Sequence, residues 1–240
     1  MYITPSVMAD SQTVPWNLQD AYWDKVHPGM KGRIYHEVVL FRHCESTRNA
    51  DLMEGDVKSE QDVDAILTPR GEEQAKHVQF VVHGLKIPLD TTSLVVSPQR
   101  RAIDTIGKHR KWALAIPDLR ERNLKKTFRI EDGCCSEVET QKEFENRVAH
   151  YIDLWSKRGT VDKRHRTIVV THSLWIREFM RALQKADHNF SRHHFGNGSV
   201  TVIQFTEDED GTKHAEIQMT GSVMHLPDHL RTGHHHALYY

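Results

Sequence analysis

Short runs of consecutive apolar residues mark the strands of this chain. Val38-Val39-Leu40-Phe41 within His36 to Arg42, Leu94-Val95-Val96 within Ser93 to Ser97, and Ile168-Val169-Val170 within Thr167 to Thr171 are such runs. A strand covered on both faces has no polar side, so each run reads as a buried strand of a parallel sheet. Between them the period lengthens to that of a helix. Thr68-Pro69 is a cap followed by proline in the first turn, and Ala75, Val78, Val82 and Leu85 then recur at helical spacing, with Gly84 near the end. A second helix is expected from about Glu139 to Ser156, with Phe144, Val148, Ile152 and Trp155 on one face. A third follows His172, with Leu174, Phe179, Met180 and Leu183 apolar. Ser199 to Phe205 reads as a strand, Asp208 to Gly211 as a turn and His214 to Met219 as the returning strand. Strands alternating with helices predict an α/β fold: three layers, α/β/α, around a mostly parallel sheet.

The pattern begins and ends inside the chain. Pro5, Pro15, Pro28, Gly29 and Gly32 interrupt any period in residues 1–35, an extension that Trp16, Tyr22 and Trp23 could strap onto the domain. Residues 36–226 form one expected domain, and the His-rich stretch 227–240 is expected to be a flexible tail. With 240 residues, the core needs no disulfide or metal to hold it. Lys+Arg number 32 against 33 Asp+Glu, a balance that argues against a nucleic-acid partner. No stretch approaches the roughly 20 apolar residues of a membrane helix. Three cysteines, two of them the adjacent Cys134 and Cys135, make no disulfide framework, and the first thirty residues lack an apolar signal core. A cytoplasmic protein is the expectation. Composition leaves the oligomeric state open.

The chemistry lies where the strands end. Arg42-His43 closes the first run, Arg100-Arg101 follows the second after Ser97-Pro98, and His172 closes the third. Ligands of open α/β sheets bind at the carboxyl ends of the strands, beside helix N-termini that favour anions. Each residue alone would pass for a structural histidine or a surface arginine. Together they gather cationic groups whose burial is costly without an anion, so a phosphoryl site is expected there.

The same residues carry a family resemblance. Leu40-Phe41-Arg42-His43-Cys44-Glu45, with Asn49 six residues after His43, resembles the opening Arg-His-Gly-Glu signature of the histidine phosphatase superfamily, the group that includes cofactor-dependent phosphoglycerate mutases. Leu67 to Ala75, Ser97 to Thr105, Leu119 to Arg122, Val170 to Ser173 and Gly196 to Val200 resemble later segments of that family, in order, over roughly residues 36–226. The resemblance implies a phosphoglycerate mutase-like fold.

Physical chemistry then supplies roles, and the resemblance agrees with them. A neutral His43 would attack phosphorus as the nucleophile. Arg42, Arg101 and His172 would hold the equatorial oxygens of a loose transition state, for which positioning and positive charge do most of the catalysis. Glu121 falls at the family's acid position, and one carboxyl there could protonate the leaving oxygen and later deprotonate water. Glu45 and Asp104 are rival carboxylates that match no acid position. By resemblance alone Asn49 joins the binding shell. Ser173 stands where Gly often follows the second histidine, and it keeps the backbone N–H. Cys44 replaces the family's near-invariant Gly; it could be a reactive thiol beside a helix start or an inert group that fills space. None of this chemistry needs a metal or cofactor, and the 18 histidines, His193-His194 and His234-His235-His236 included, show no zinc-site spacing. Arg120, Arg122, Lys125, Lys126 and Arg129 could form a basic rim or merely a solvated loop.

The expected function is hydrolysis of a phosphomonoester through a phosphohistidine. A mutase is the first alternative. Mutases resembling this family hold a long insertion between acid and second histidine, whereas only 51 positions separate Glu121 from His172. A non-catalytic phospho-ligand scaffold is the second, disfavoured because His43, Arg42, Arg101 and His172 are all retained.

Overall fold

The structure, a computed structural model, describes residues 33–54, 64–85, 91–122, 139–158, 163–183 and 195–233. Residues 1–32, the loop carrying Lys125, Lys126 and Arg129, His193-His194 and the last seven residues lie outside these, whereas residues 33–35, expected in the N-terminal extension, already belong to the first strand.

Six strands make one sheet: β1 (Arg33–Arg42), β2 (Thr92–Val96), β3 (Ala113–Ala115), β4 (His165–Thr171), β5 (Val200–Glu207) and β6 (Lys213–Ser222), in the spatial order β3-β2-β4-β1-β5-β6. The pairs β1–β4, β2–β4 and β2–β3 are parallel, and β5 and β6 close the far edge by antiparallel pairing. The helices are α1 (Thr47–Glu54), α2 (Pro69–Leu85), α3 (Arg100–Ile106), α4 (Gln141–Ser156) and α5 (Ser173–Leu183).

Period-2 geometry sorts each apolar run between two cores. Val39 and Phe41 of β1, Leu94 and Val96 of β2 and Ile168 and Val170 of β4 face a core shared with α2 and α3. Leu40, Val95 and Val169 face the opposite core, built on aromatic side chains of α4 and α5: Phe144, Tyr151, Trp155, Trp175 and Phe179. Along β5 the same alternation places Val200 and Val202 in the first core and Ile203 and Phe205 in the second.

Helix starts follow their sequence signals. Thr140 closes a capping box with Glu143, so α4 begins at Gln141. Thr68 accepts from the Gly71 amide at 3.0 Å ahead of Pro69. Gly71 has no alternative: a Cβ there would sit 1.9 Å from the carbonyl oxygen of Glu45, so only glycine lets α2 approach the loop that follows β1.

The C-terminal region departs from expectation. Residues 226–232 pack onto the domain, with Leu226, Leu230 and Thr232 buried. Gln74 donates to the Leu230 carbonyl at 2.6 Å, and the Asn197 amide to that of Thr232 at 3.0 Å. Leu226 and Leu230 have apolar surface to cover, which the histidines around them obscure in the sequence. No helix among the described residues is long and apolar enough to cross a membrane.

Candidate active site

Parallel pairing brings the strand ends to one rim. The His43 amide donates to the Thr171 carbonyl at 2.9 Å and that of Ser97 to Val170 at 2.9 Å, so the residues after β1, β2 and β4 stand side by side. Thr171 Oγ1 donates to the Leu119 carbonyl at 2.6 Å and fixes the approach to Glu121. The rings of His43 and His172 lie 5.1 Å apart.

His43 is held in one tautomer. Its Nδ1 lies 2.7 Å from the Cys44 carbonyl, which can only accept, so Nδ1 carries the proton and Nε2 a lone pair. Arg101 Nε donates to that Nε2 at 3.2 Å. Burial first, then the charges of Arg101 and Arg42, push His43 well below the ordinary imidazole range. The result is a neutral imidazole with an oriented Nε2 lone pair. His172 is lowered in the same way, chiefly by burial. Its Nε2 lies 2.7 Å from Ser97 Oγ, and its Nδ1 faces Oε2 of Glu121 at 3.9 Å.

Glu121 is tied at its backbone and at its carboxylate. Its amide donates to Gln99 Oε1 at 3.2 Å, and its Oε1 accepts from the Leu174 amide in the first turn of α5 at 3.1 Å. Burial raises its pKa and outweighs the opposing charges of Arg101 and Arg42. The rival carboxylates are engaged elsewhere: Glu45 accepts from Thr68 at 2.7 Å, and Asp104 pairs with Arg100 at 3.5 Å.

Arg42 donates through Nη1 to the Phe195 carbonyl, and burial lowers its pKa to about 10. Arg101 is fully buried and also donates to Gln99 Oε1 at 3.1 Å. Asn49 Oδ1 accepts from Ser46 N and Oγ at 3.2 and 3.0 Å, which caps the start of α1. Ser173 is the first residue of α5, directly after His172.

Cys44 resolves towards packing. It is fully buried in the first core, and burial pushes its thiol up to about 12. A Cβ added at Gly198 would lie 3.5 Å from its sulfur. The side chain thus occupies space beside Gly198, while its amide still donates to Thr105 Oγ1 at 2.9 Å.

Sequence reasoning missed Gln99, which joins Arg101 to Glu121 through one carbonyl oxygen, and Ser97, the partner of His172. Both lay within quoted motifs without a chemical signal of their own.

His43, Glu121 and His172 each offer one ligand atom, all within 4.8 Å of one another. Arg42 and Arg101 set beside them make the site better suited to an anion than to a metal ion. A separate cavity of about 720 Å³, lined by Lys76, Gln79, Arg100 and Lys108 among others, involves none of the three.

The chain belongs to branch 1 of the histidine phosphatase superfamily, whose model matches residues 38–217. Its fold is similar to that of the Entamoeba histolytica phosphoserine phosphatase solved with phosphoserine (TM-score 0.57, 19% identity, 80% of this chain and 100% of that one). It is also similar to a mycobacterial glucosyl-3-phosphoglycerate phosphatase (0.58, 19%, 80% and 100%) and to the phosphoglycerate mutase of Bacillus anthracis (0.58, 19%, 81% and 96%). No curated protein matches the sequence.

Proposed function

We propose that this protein is a phosphatase that hydrolyses a phosphomonoester through a phosphohistidine on His43. The observation that carries the reading is the His43 tautomer, with Nδ1–H held by the Cys44 carbonyl and the Nε2 lone pair turned towards Arg101. In the first step Nε2 bonds to phosphorus, the P–O ester bond breaks, and Glu121 gives its proton to the departing oxygen. In the second, Glu121 takes a proton from water, the water oxygen bonds to phosphorus, and the N–P bond breaks. Arg42, Arg101 and His172 hold the phosphoryl oxygens throughout. Neither step calls on a metal.

Hydrolysis is favoured over mutase chemistry by what fills the interval between acid and second histidine. Much of it is α4 and β4, which leaves little length for a substrate-enclosing insertion. Two of the similar structures described above are named as phosphatases. The test is to trap the protein shortly after mixing with a labelled phosphomonoester. An acid-labile, base-stable adduct is expected on the wild type and none on His43→Ala, which should lose turnover while keeping its fold. An acid-stable adduct, or an active variant, would overturn the mechanism.

A further inference from the structure

Two arginines at the rim of the site have no task in this reaction. Every other half-buried arginine among the described residues is held by an oxygen, as Arg147 is by Glu139, Arg166 by Glu37 and Arg158 by Ser93. Arg48 and Arg177 are half-buried too, yet neither has a hydrogen bond or ion pair with a described residue, and Nε of Arg177 is closed off from solvent. Arg48 is the second residue of α1, five positions after His43. Arg177 lies one turn along α5 from Ser173 and Leu174, the residues that border His172 and hold Glu121. The charge of Arg48 is felt at both His43 and Glu121, and that of Arg177 at Glu121 and Arg42. They therefore flank the reacting groups from two different helices.

A bound phosphoryl dianion balances Arg42 and Arg101. It leaves two further guanidiniums that are partly desolvated and, among the described residues, unpaired, a costly arrangement unless a second anion arrives with the substrate. We infer that Arg48 and Arg177 bind a second anionic group on the leaving part of the substrate, which is thus a phosphomonoester that also bears a carboxylate or another phosphate. This rests on the phosphatase reading above and adds the class of substrate to it.

Matched substrates test it. 3-Phosphoglycerate differs from glycerol 3-phosphate in having a carboxylate for a hydroxymethyl group, and fructose 1,6-bisphosphate differs from fructose 6-phosphate by a second phosphate. For at least one pair, kcat/KM should favour the doubly anionic member by about tenfold to a hundredfold, the range of a charge-assisted contact. The first pair reports a carboxylate and the second a phosphate. Arg48→Gln and Arg177→Gln should each shrink that ratio severalfold, mainly through KM. p-Nitrophenyl phosphate, run in parallel, reports whether hydrolysis occurs at all. Hydrolysis of it with no preference in either pair overturns the inference and spares the phosphatase reading, as does an equal fall for both members in the variants. Should nothing be hydrolysed, the phosphatase reading fails, and calorimetric binding of the same pairs decides the inference: equal affinities overturn it.

Discussion

Strand β1 has buried charge near both ends, and the two ends are built on opposite terms. Near its start, Glu37 pairs with Arg166 at 2.5 Å and also accepts from Gln204 at 3.4 Å, while Arg166 donates again to the Leu85 carbonyl at 3.0 Å. His36 beside them has both ring nitrogens occupied, by the Trp155 carbonyl at 2.8 Å and Thr167 Oγ1 at 2.9 Å. At its finish, Arg42 and His43 join Arg101 and His172 around the carboxyl of Glu121. In the first cluster the charges of Glu37 and Arg166 cancel within the protein; among the described residues the second carries a surplus of positive charge. Both use the same residue types on the same strand. What separates a structural cluster from a functional one here is the missing counter-charge, which a phosphoryl group would supply.

Removing the Glu121 carboxyl from the cationic end should have the largest effect. Glu121→Gln should lower kcat by about 10²–10⁴ for alkyl phosphates and far less for p-nitrophenyl phosphate, whose leaving group needs no proton. Equal losses for both would mean that Glu121 does not act as the acid.

The two ends should respond oppositely to loss of an arginine. Arg166→Leu strands a buried Glu37 and should cost about 3–5 kcal/mol in chemical denaturation. Arg101→Met removes a buried charge that faces other cations, so stability should hold or rise as activity falls. A large loss of stability in Arg101→Met would erase the contrast.

Acid should expose the surplus more gently. His36 and His225 are lowered to about 4 by burial, and His43 and His172 well below their ordinary value. Unfolded, these histidines take up protons near pH 6.5. Between about pH 6.5 and 4 the unfolded chain binds more protons than the folded one, so stability falls as pH falls through that window. A bound dianion favours protonated His172 in the folded state. Millimolar sulfate, compared with chloride at equal ionic strength, should therefore raise Tm more at about pH 5.5 than at pH 8, and His172→Gln should flatten the difference. A pH-independent effect would contradict the proposed surplus.

The smallest effect is expected at Cys44. Its thiol is buried and its pKa raised, so peroxide that leaves the fold intact should leave activity unchanged, and Cys44→Gly should be no more resistant than the wild type. Inhibition lost in Cys44→Gly would restore the reactive reading.

Much of the architecture was legible because it depends on neighbours in sequence. Apolar runs marked β1, β2 and β4, and Thr68-Pro69 marked the start of α2. β3 has three residues and α3 seven, each too short to establish a period. The packed residues 226–232 were hidden by their polar company. At the site, His43, Arg42, Arg101, His172 and Glu121 converge as the motifs led one to expect. Asn49 Oδ1 also caps the start of α1 through Ser46, a contact between near neighbours in sequence.

From the sequence alone came the layered α/β class, the order of motifs and the identity of the cationic groups at the strand ends, all carried by local pattern. Only the tertiary structure decided the His43 tautomer, the placement of Glu121 beside His172 while Glu45 and Asp104 are engaged elsewhere, the burial of Cys44, and the pairing of one arginine cluster but not the other. Those outcomes depend on burial and on atoms from distant parts of the chain, such as Gln99, Leu174, Thr105 and Glu37, meeting within a few ångströms. Sequence spacing does not encode those distances; the packing of the sheet sets them.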